Sequence, residues 1–217
     1  MEKVIYLDNT IQTPCTISVI GSTSSGKTTF ISNLLWKENI FAAKISKIMY
    51  CYSCFQPIFD EMIKDHSNIE FHEGLPSEEK IRDFTDDNHN LIVLDDLMTK
   101  VASSEVMLNL FCQYSHHLNV SVIFISQNVF YGGKCSRSLT LNSHYFILFR
   151  NRRDISQIGV LGRQLFPGKQ KEFLSVYREA VKEPFGYLFI DIHPKSNEIL
   201  SLRTDILNEL YSVIYLL

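Results

Sequence analysis

The residues best suited to chemistry in this 217-residue chain fall in one run, Gly21-Ser22-Thr23-Ser24-Ser25-Gly26-Lys27-Thr28-Thr29. Glycines at 21 and 26 followed by Lys-Thr form the pattern GxxxxGK[ST]. A loop that wraps a phosphate so closely that its backbone N–H groups point inward favours residues without a Cβ at its tightest points. A helix opening at Lys27 adds the partial positive charge of its N-terminus. In that setting Lys27 would reach the β- and γ-phosphates, and the Thr28 hydroxyl would ligate Mg2+. Gly21 to Thr29 are therefore the expected contacts for ATP or GTP.

Paired carboxylates follow about 70 residues later. Asn90-Leu91-Ile92-Val93-Leu94-Asp95-Asp96-Leu97 is an apolar run that ends on two acids. It reads as a strand adjacent to the one entering the loop, delivering Asp95 to the magnesium shell and Asp96 to the water that attacks the γ-phosphate. Many ATPases carry glutamate at the second position, one methylene longer than Asp96, and the alternative reading is an acidic helix cap after a core strand. A third run, Val120-Ser121-Val122-Ile123-Phe124-Ile125, ends in Ser126-Gln127-Asn128. The Gln127 amide, at the tip of a strand between the two motif strands, would hold the lytic water or sense the γ-phosphate; otherwise it is a turn residue.

These side chains need a scaffold, and the sequence predicts one. Short β-rich apolar runs occur at 15–20, 47–52, 91–94, 120–125, 145–149 and 187–192, separated by helical periodicity at 27–37, 57–64, 104–117, 155–163 and 169–182. This alternation predicts an α/β fold, with a mainly parallel sheet flanked by helices on both faces. A last strand is expected near 199–203 and a closing helix over 205–217. No linker or repeat divides the chain, so residues 1–217 are expected to form a single domain. No apolar stretch has the roughly 20 residues a bilayer crossing requires. The acidic N-terminus lacks the basic head of a signal peptide, which predicts an intracellular protein. Five cysteines in apolar surroundings suit buried thiols. Cys51-x-x-Cys54 lacks further ligands at zinc spacing, and His116-His117 read as residues at a helix end.

The net charge of -3 excludes a protein that coats nucleic acid with its whole surface. Charge is nevertheless unevenly placed. Between Lys134 and Lys171 stand eight bases, Lys134, Arg137, Arg150, Arg152, Arg153, Arg163, Lys169 and Lys171, against the single acid Asp154. Such a segment is either a solvated face or an electrostatic contact for a polyanion.

Taken together, Val93 to Met98, Ser115-His116-His117-Leu118-Asn119 with the strand after it, and Ser126-Gln127-Asn128-Val129-Phe130 resemble the genome-packaging ATPases of the FtsK–HerA superfamily. The likeness is greatest to those of Polinton (Maverick) elements and virophages, with poxvirus-type packaging ATPases more distant. It continues through Gly133-Lys134-Cys135-Ser136-Arg137-Ser138, Phe149-Arg150-Asn151-Arg152-Arg153-Asp154 and Gly186-Tyr187-Leu188-Phe189-Ile190-Asp191, so it covers most of 17–204.

The resemblance implies a P-loop NTPase of the additional-strand, RecA/FtsK-like type that hydrolyses ATP with Mg2+. It further implies a homo-oligomeric ring driving double-stranded DNA into a preformed capsid, with capsid or portal proteins as partners and the host cytoplasm or nucleus as the place of assembly. Lys27, Thr28, Asp95, Asp96 and Gln127 fall on matching motif positions, and Arg137 or Arg153 would serve as an arginine acting on a neighbouring subunit. Loops around 131–138 or 168–171 would face the DNA. The rival readings are another DNA-dependent motor, a nucleotide-gated switch and a small-molecule kinase. The Asn-Lys-x-Asp segment by which a GTPase reads its base is absent from the sequence.

Overall fold

The computed structural model describes residues 8–65, 67–111, 118–130 and 134–217, with the side chains of residues 65 and 134–137 outside that description. Among the described residues nine strands form one sheet in the order β3-β2-β4-β5-β1-β6-β7-β8-β9. The strands are β1 (Thr16–Ile20), β2 (Lys47–Tyr52), β3 (Ile69–Glu73), β4 (Asn90–Asp95), β5 (Val120–Ser126), β6 (Tyr145–Phe149), β7 (Tyr187–Asp191), β8 (Leu202–Thr204) and β9 (Val213–Ile214). From β3 to β6 all neighbours are parallel, and β7, β8 and β9 extend the sheet antiparallel. The mainly parallel sheet expected from the sequence is present.

The central strands are buried along their whole length, which is why they read as continuous apolar runs. Alternate side chains serve opposite layers. Ile17, Val19, Val93, Ile123 and Ile147 pack under α1 (Lys27–Trp36) and α2 (Ile58–Asp65) through Phe30, Leu34, Phe59 and Met62. On the other face, Ile92, Leu94, Val122 and Phe124 meet α3 (Glu78–Phe84), α4 (Met98–Val101) and α5 (Glu105–Asn109), with Leu139 of α6 (Lys134–Asn142) in the same cluster. Further along that face Phe146, Leu148, Leu188 and Ile190 lie under α7 (Ile155–Leu165) and α8 (Gln170–Ala180).

Several expectations need correction. The Asp95 strand is not the neighbour of the strand entering the loop: β5 separates β4 from β1, which leaves the Gln127 strand between the two motif strands as expected. The helix expected over 104–117 begins as Ser104 caps α5, its side chain accepting from the Met107 N–H, but residues 112–117, with His116 and His117, lie outside the described residues. The 131–138 segment is not a loop throughout, because Lys134 already belongs to α6. No helix forms over 205–217. Asp205 adopts a left-handed φ of 58°, its carbonyl accepts from the Asn208 N–H at 2.9 Å, and Val213–Ile214 instead pairs with β8. Among the described residues no helix is long and apolar enough to cross a membrane.

The antiparallel extension is held by a buried ion pair. Arg203, 1% exposed, donates to Asp191 Oδ2 at 2.9 Å, and its other terminal nitrogen bonds the Asp8 carbonyl and Asn9 Oδ1. The guanidinium also lies 5.1 Å from the Phe189 ring centre. Removing one partner would strand the other charge in the core, a loss of about 3–5 kcal/mol, whereas replacing both with apolar groups is close to neutral. Arg203→Ala should therefore lower the urea midpoint strongly, and Asp191→Leu/Arg203→Met should recover most of it, as followed by circular dichroism.

Candidate functional site: a phosphate cradle facing two carboxylates

β1 runs between β5 and β6, and the chain leaves it at Gly21 against both. The Gly21 N–H donates to the Ser126 carbonyl at 3.2 Å. A Cβ at this position would lie 2.6 Å from Phe149 Cβ and 2.7 Å from Ser25 Oγ, so only glycine fits. Ser24 and Gly26 take φ values of 60° and 97°, curling the loop over the start of α1. That helix has Gly26 as its cap, no side-chain cap bond and no acid in its first turn, which leaves its N-terminal N–H groups suited to an anion. Ser25 Oγ is buried and has no hydrogen-bond partner among the described residues, as a hydroxyl suited to a ligand oxygen would be. Lys27 Nζ donates to the Gly21 and Ser22 carbonyls at 2.8 and 2.9 Å. Burial lowers its pKa, while Asp95 and Asp96 act in the opposite sense.

The two acids reach the cradle by different routes. Asp95 is the last residue of β4 and points to the α1 side of the sheet, where its Oδ2 accepts from Thr28 Oγ1 at 3.4 Å and from the Tyr50 hydroxyl at 2.8 Å. Burial raises the Asp95 pKa; the Tyr50 bond lowers it, nearby Asp96 raises it further, and Lys27 lowers it. Asp96 leaves the strand with a left-handed φ of 54°, which turns its carboxylate outward. There Gln127 Nε2 donates to Asp96 Oδ1 at 3.3 Å. The adjacency of β4 and β5 brings these two residues together. Residues 23–29, Gln56, Asp95, Asp96 and Gln127 enclose a cleft of about 350 Å³.

Tyr50 and Gln56 were not among the residues expected from the sequence. Tyr50 carries a signal in retrospect: a tyrosine within a buried strand requires an acceptor for its hydroxyl, and the carboxylate ending the neighbouring strand is one. Gln56 lies in a loop between β2 and α2 and has no comparable signature.

The arginines stand apart from this cleft. Arg150, Arg152 and Arg153 line a second cavity of about 750 Å³ on the outer side of residues 22–25, with Gln127 bordering both. The Ser22 hydroxyl donates to the Arg150 carbonyl at 3.2 Å. The Tyr177 hydroxyl fixes the turn that follows, donating to the Phe149 carbonyl and accepting from the Asn151 N–H, each at 2.9 Å. The Arg137 side chain lies outside the described residues. Of the lysines expected to face DNA, Lys169 donates to the Leu217 carbonyl at 2.9 Å.

A mainly parallel sheet with a GxxxxGKT cradle at the carboxyl end of a central strand, facing paired carboxylates, defines the class of P-loop NTPases. Solved structures with this fold include the genome packaging NTPase B204 from Sulfolobus turreted icosahedral virus 2 in complex with AMP. It has a TM-score of 0.56 and 12% identity, over 82% of this chain and 92% of that one. B204 from Sulfolobus turreted icosahedral virus, described as a DNA-packaging ATPase, gives a TM-score of 0.53 at 12% identity over 82% and 92%. At that identity the likeness is one of fold. No curated protein sequence matches the chain. The profile of the Poxvirus A32 protein family matches residues 2–160, and the chain belongs to that family.

Two outcomes follow from the Asp95 environment. Its raised pKa means that the folded state binds the proton more tightly than the unfolded chain does, so stability falls as pH rises from the unfolded value through the raised one. Asp95→Asn, which carries no charge at this position, should flatten that pH dependence and raise the melting temperature of the nucleotide-free protein on the alkaline side of the window, as followed by circular dichroism across pH. Tyr50→Phe leaves the ring packed and deletes only the bond to Asp95; on the expectation from the sequence that Asp95 serves the magnesium shell, it should weaken Mg-ATP binding about 10- to 100-fold, as loss of a ligand-orienting partner does, with the circular dichroism spectrum unchanged.

Proposed function

We propose that the chain hydrolyses ATP with Mg2+ and couples the cleavage to moving double-stranded viral DNA into a preformed capsid. The observation that carries the hydrolase reading is the convergence of Lys27, Thr28, Asp95, Asp96 and Gln127 on one cleft at the mouth of the cradle. Thr28 Oγ1 and Asp95 Oδ2, 3.4 Å apart, are hard oxygen donors of the kind Mg2+ takes. They would hold the ion, whose positive charge offsets that of the phosphate oxygens. Backbone N–H groups of residues 22–29 bind the phosphates, and Lys27 neutralises the β- and γ-oxygens.

Asp96, turned out of the strand and free of the deep burial of Asp95, is the group that accepts the proton of the attacking water. Gln127, bonded to it, orients both. Arg153 or Arg137 would complete the charge balance from a neighbouring subunit in a homo-oligomeric ring. Family membership supports the DNA half of the reading, as does the description of B204 as a genome packaging NTPase. In a ring each subunit needs only a few contacts from the basic 134–171 segment to grip phosphates. The partners are then capsid or portal proteins at an intracellular assembly site.

Phosphate release with Mg2+, measured with and without double-stranded DNA, tests this reading. Hydrolysis should rise with DNA. Lys27→Ala should lose nucleotide binding, and Asp96→Asn should keep binding while hydrolysis falls about a hundredfold or more, as loss of a general base does. Hydrolysis indifferent to DNA would sink the motor and leave a nucleotide-gated switch. An Asp96→Asn protein that still turns over normally would remove Asp96 as the base.

A further inference from the structure

Beside the phosphate cleft lies a mostly apolar slot of similar size, about 370 Å³, that shares Gly26 and Thr29 with it. Its floor is a rigid aromatic trio. Phe30 meets Tyr187 edge-on at 4.7 Å between ring centres and Phe149 at 5.7 Å. One wall is Phe185, in the turn between α8 and β7, which is 69% exposed. The opposite rim is polar, carrying Asp205 and Asn208.

Phe185 is costly for the free protein in two ways. A large aromatic side chain faces water, and its backbone is held at a φ of 63°, a conformation bulky residues rarely adopt outside functional sites. The turn enforces this conformation. The Gly186 N–H donates to the Glu183 carbonyl at 3.1 Å, and a Cβ on Gly186 would lie 2.6 Å from the Ala180 carbonyl oxygen. The ring is thereby set against the loop, so close that a Cβ on Gly26 would lie 3.0 Å from Phe185 Cδ1. Asp205 also carries a left-handed φ, of 58°. Its carbonyl is occupied by the Asn208 N–H and the Ser212 hydroxyl, while its carboxylate makes no hydrogen bond among the described residues.

We propose that this slot receives the purine base of the nucleotide whose phosphates occupy the cradle, with Phe185 as its stacking face and Asp205 at its hydrogen-bonding edge. The inference rests on the nucleotide reading of the cradle. Continuity through Gly26 and Thr29 makes the base the natural occupant, because a chain of phosphates bound at the start of α1 delivers whatever is attached to it into the adjoining space. An aromatic face offers sequence-independent stacking to a flat ring. The carboxylate accepts from an exocyclic amine or ring N–H, and the apolar floor excludes water from the ring.

The test compares two ligands that differ in whether they carry a base, Mg-ATP and Mg-tripolyphosphate, by isothermal titration calorimetry on the full chain. Phe185→Ala should weaken ATP binding roughly 5- to 100-fold, the range for losing one base–aromatic stack, and leave tripolyphosphate binding unchanged. Phe185→Tyr, which keeps the flat face, should restore ATP affinity to within about threefold of the natural chain. Equal weakening of both ligands by Phe185→Ala would mean that the ring merely braces the loop, and unchanged ATP affinity would mean that nothing stacks on it; either overturns the proposal. Tripolyphosphate binding with no advantage for ATP in the natural chain would overturn the base slot alone. Failure to bind either ligand would take the cradle reading down with it.

Discussion

The site depends first on how closely three strands approach at the end of β1. Gly21 is wedged between the Ser126 carbonyl of β5 and the Phe149 side chain of β6, with no room for a single additional carbon. That contact fixes where the loop begins relative to both neighbours. Gln127 leaves β5 one residue after Ser126, and Arg150 leaves β6 one residue after Phe149. The amide, the loop and the arginine turn are therefore set by one packing contact, at the carboxyl ends of parallel strands where α/β folds place their ligands. A larger residue at 21 would disturb all three together.

Electrostatics then divide labour between the adjacent acids. Asp95 is buried, tied to Tyr50 and Thr28, and its raised pKa records first the cost of taking a carboxylate out of water. Asp96, one residue on, is exposed because its left-handed backbone turns it away from the strand. Two like charges so near each other are tolerable because Lys27 lies close to both. A buried acid suited to a metal and an exposed one suited to water thus arise from one change of backbone region, and the burial penalty of the first becomes useful once a cation is supplied.

The sequence made the parallel core legible because strands buried on both faces leave unbroken apolar runs, and because the cradle motif demands glycine where backbone meets phosphate. Other parts left weaker traces. β3 sits at the sheet edge, and its Ile69-Glu70-Phe71-His72-Glu73 alternates without a clean apolar run. α3 is seven residues long, too short for periodicity to register, although Ser77 caps it by accepting from the Lys80 N–H. The tail over 205–217 has apolar residues at helix-like spacing, but the Asp205–Asn208 turn and the pairing of Val213–Ile214 with β8 prevail over it. Tyr50 is not legible as a site residue because its contact depends on register: β2 and β4 must be neighbours, with Tyr52 opposite Asp95, before Tyr50 can reach that carboxylate.

The antiparallel extension takes on meaning from where it places side chains. The family profile ends at residue 160, within α7, and the cradle and the two carboxylates facing it all precede that point. Phe185 introduces β7, Tyr187 begins it, and Asp205 follows β8 directly, so the wall, part of the floor and the rim of the aromatic slot all come from the later segment. These strands hang on the Asp191–Arg203 pair, which joins β7 to β8 and ties both to Asp8 and Asn9 near the start of the chain. A buried ion pair contributes little net stability compared with apolar packing, but its geometry admits one register. If the slot reads the base, that register matters more than the energy, because a shift of one residue between β7 and β8 would exchange the faces of their side chains and carry Asp205 away from Phe185. The parallel half would still grip phosphate, and the chain would lose its means of telling a nucleotide from a bare polyphosphate.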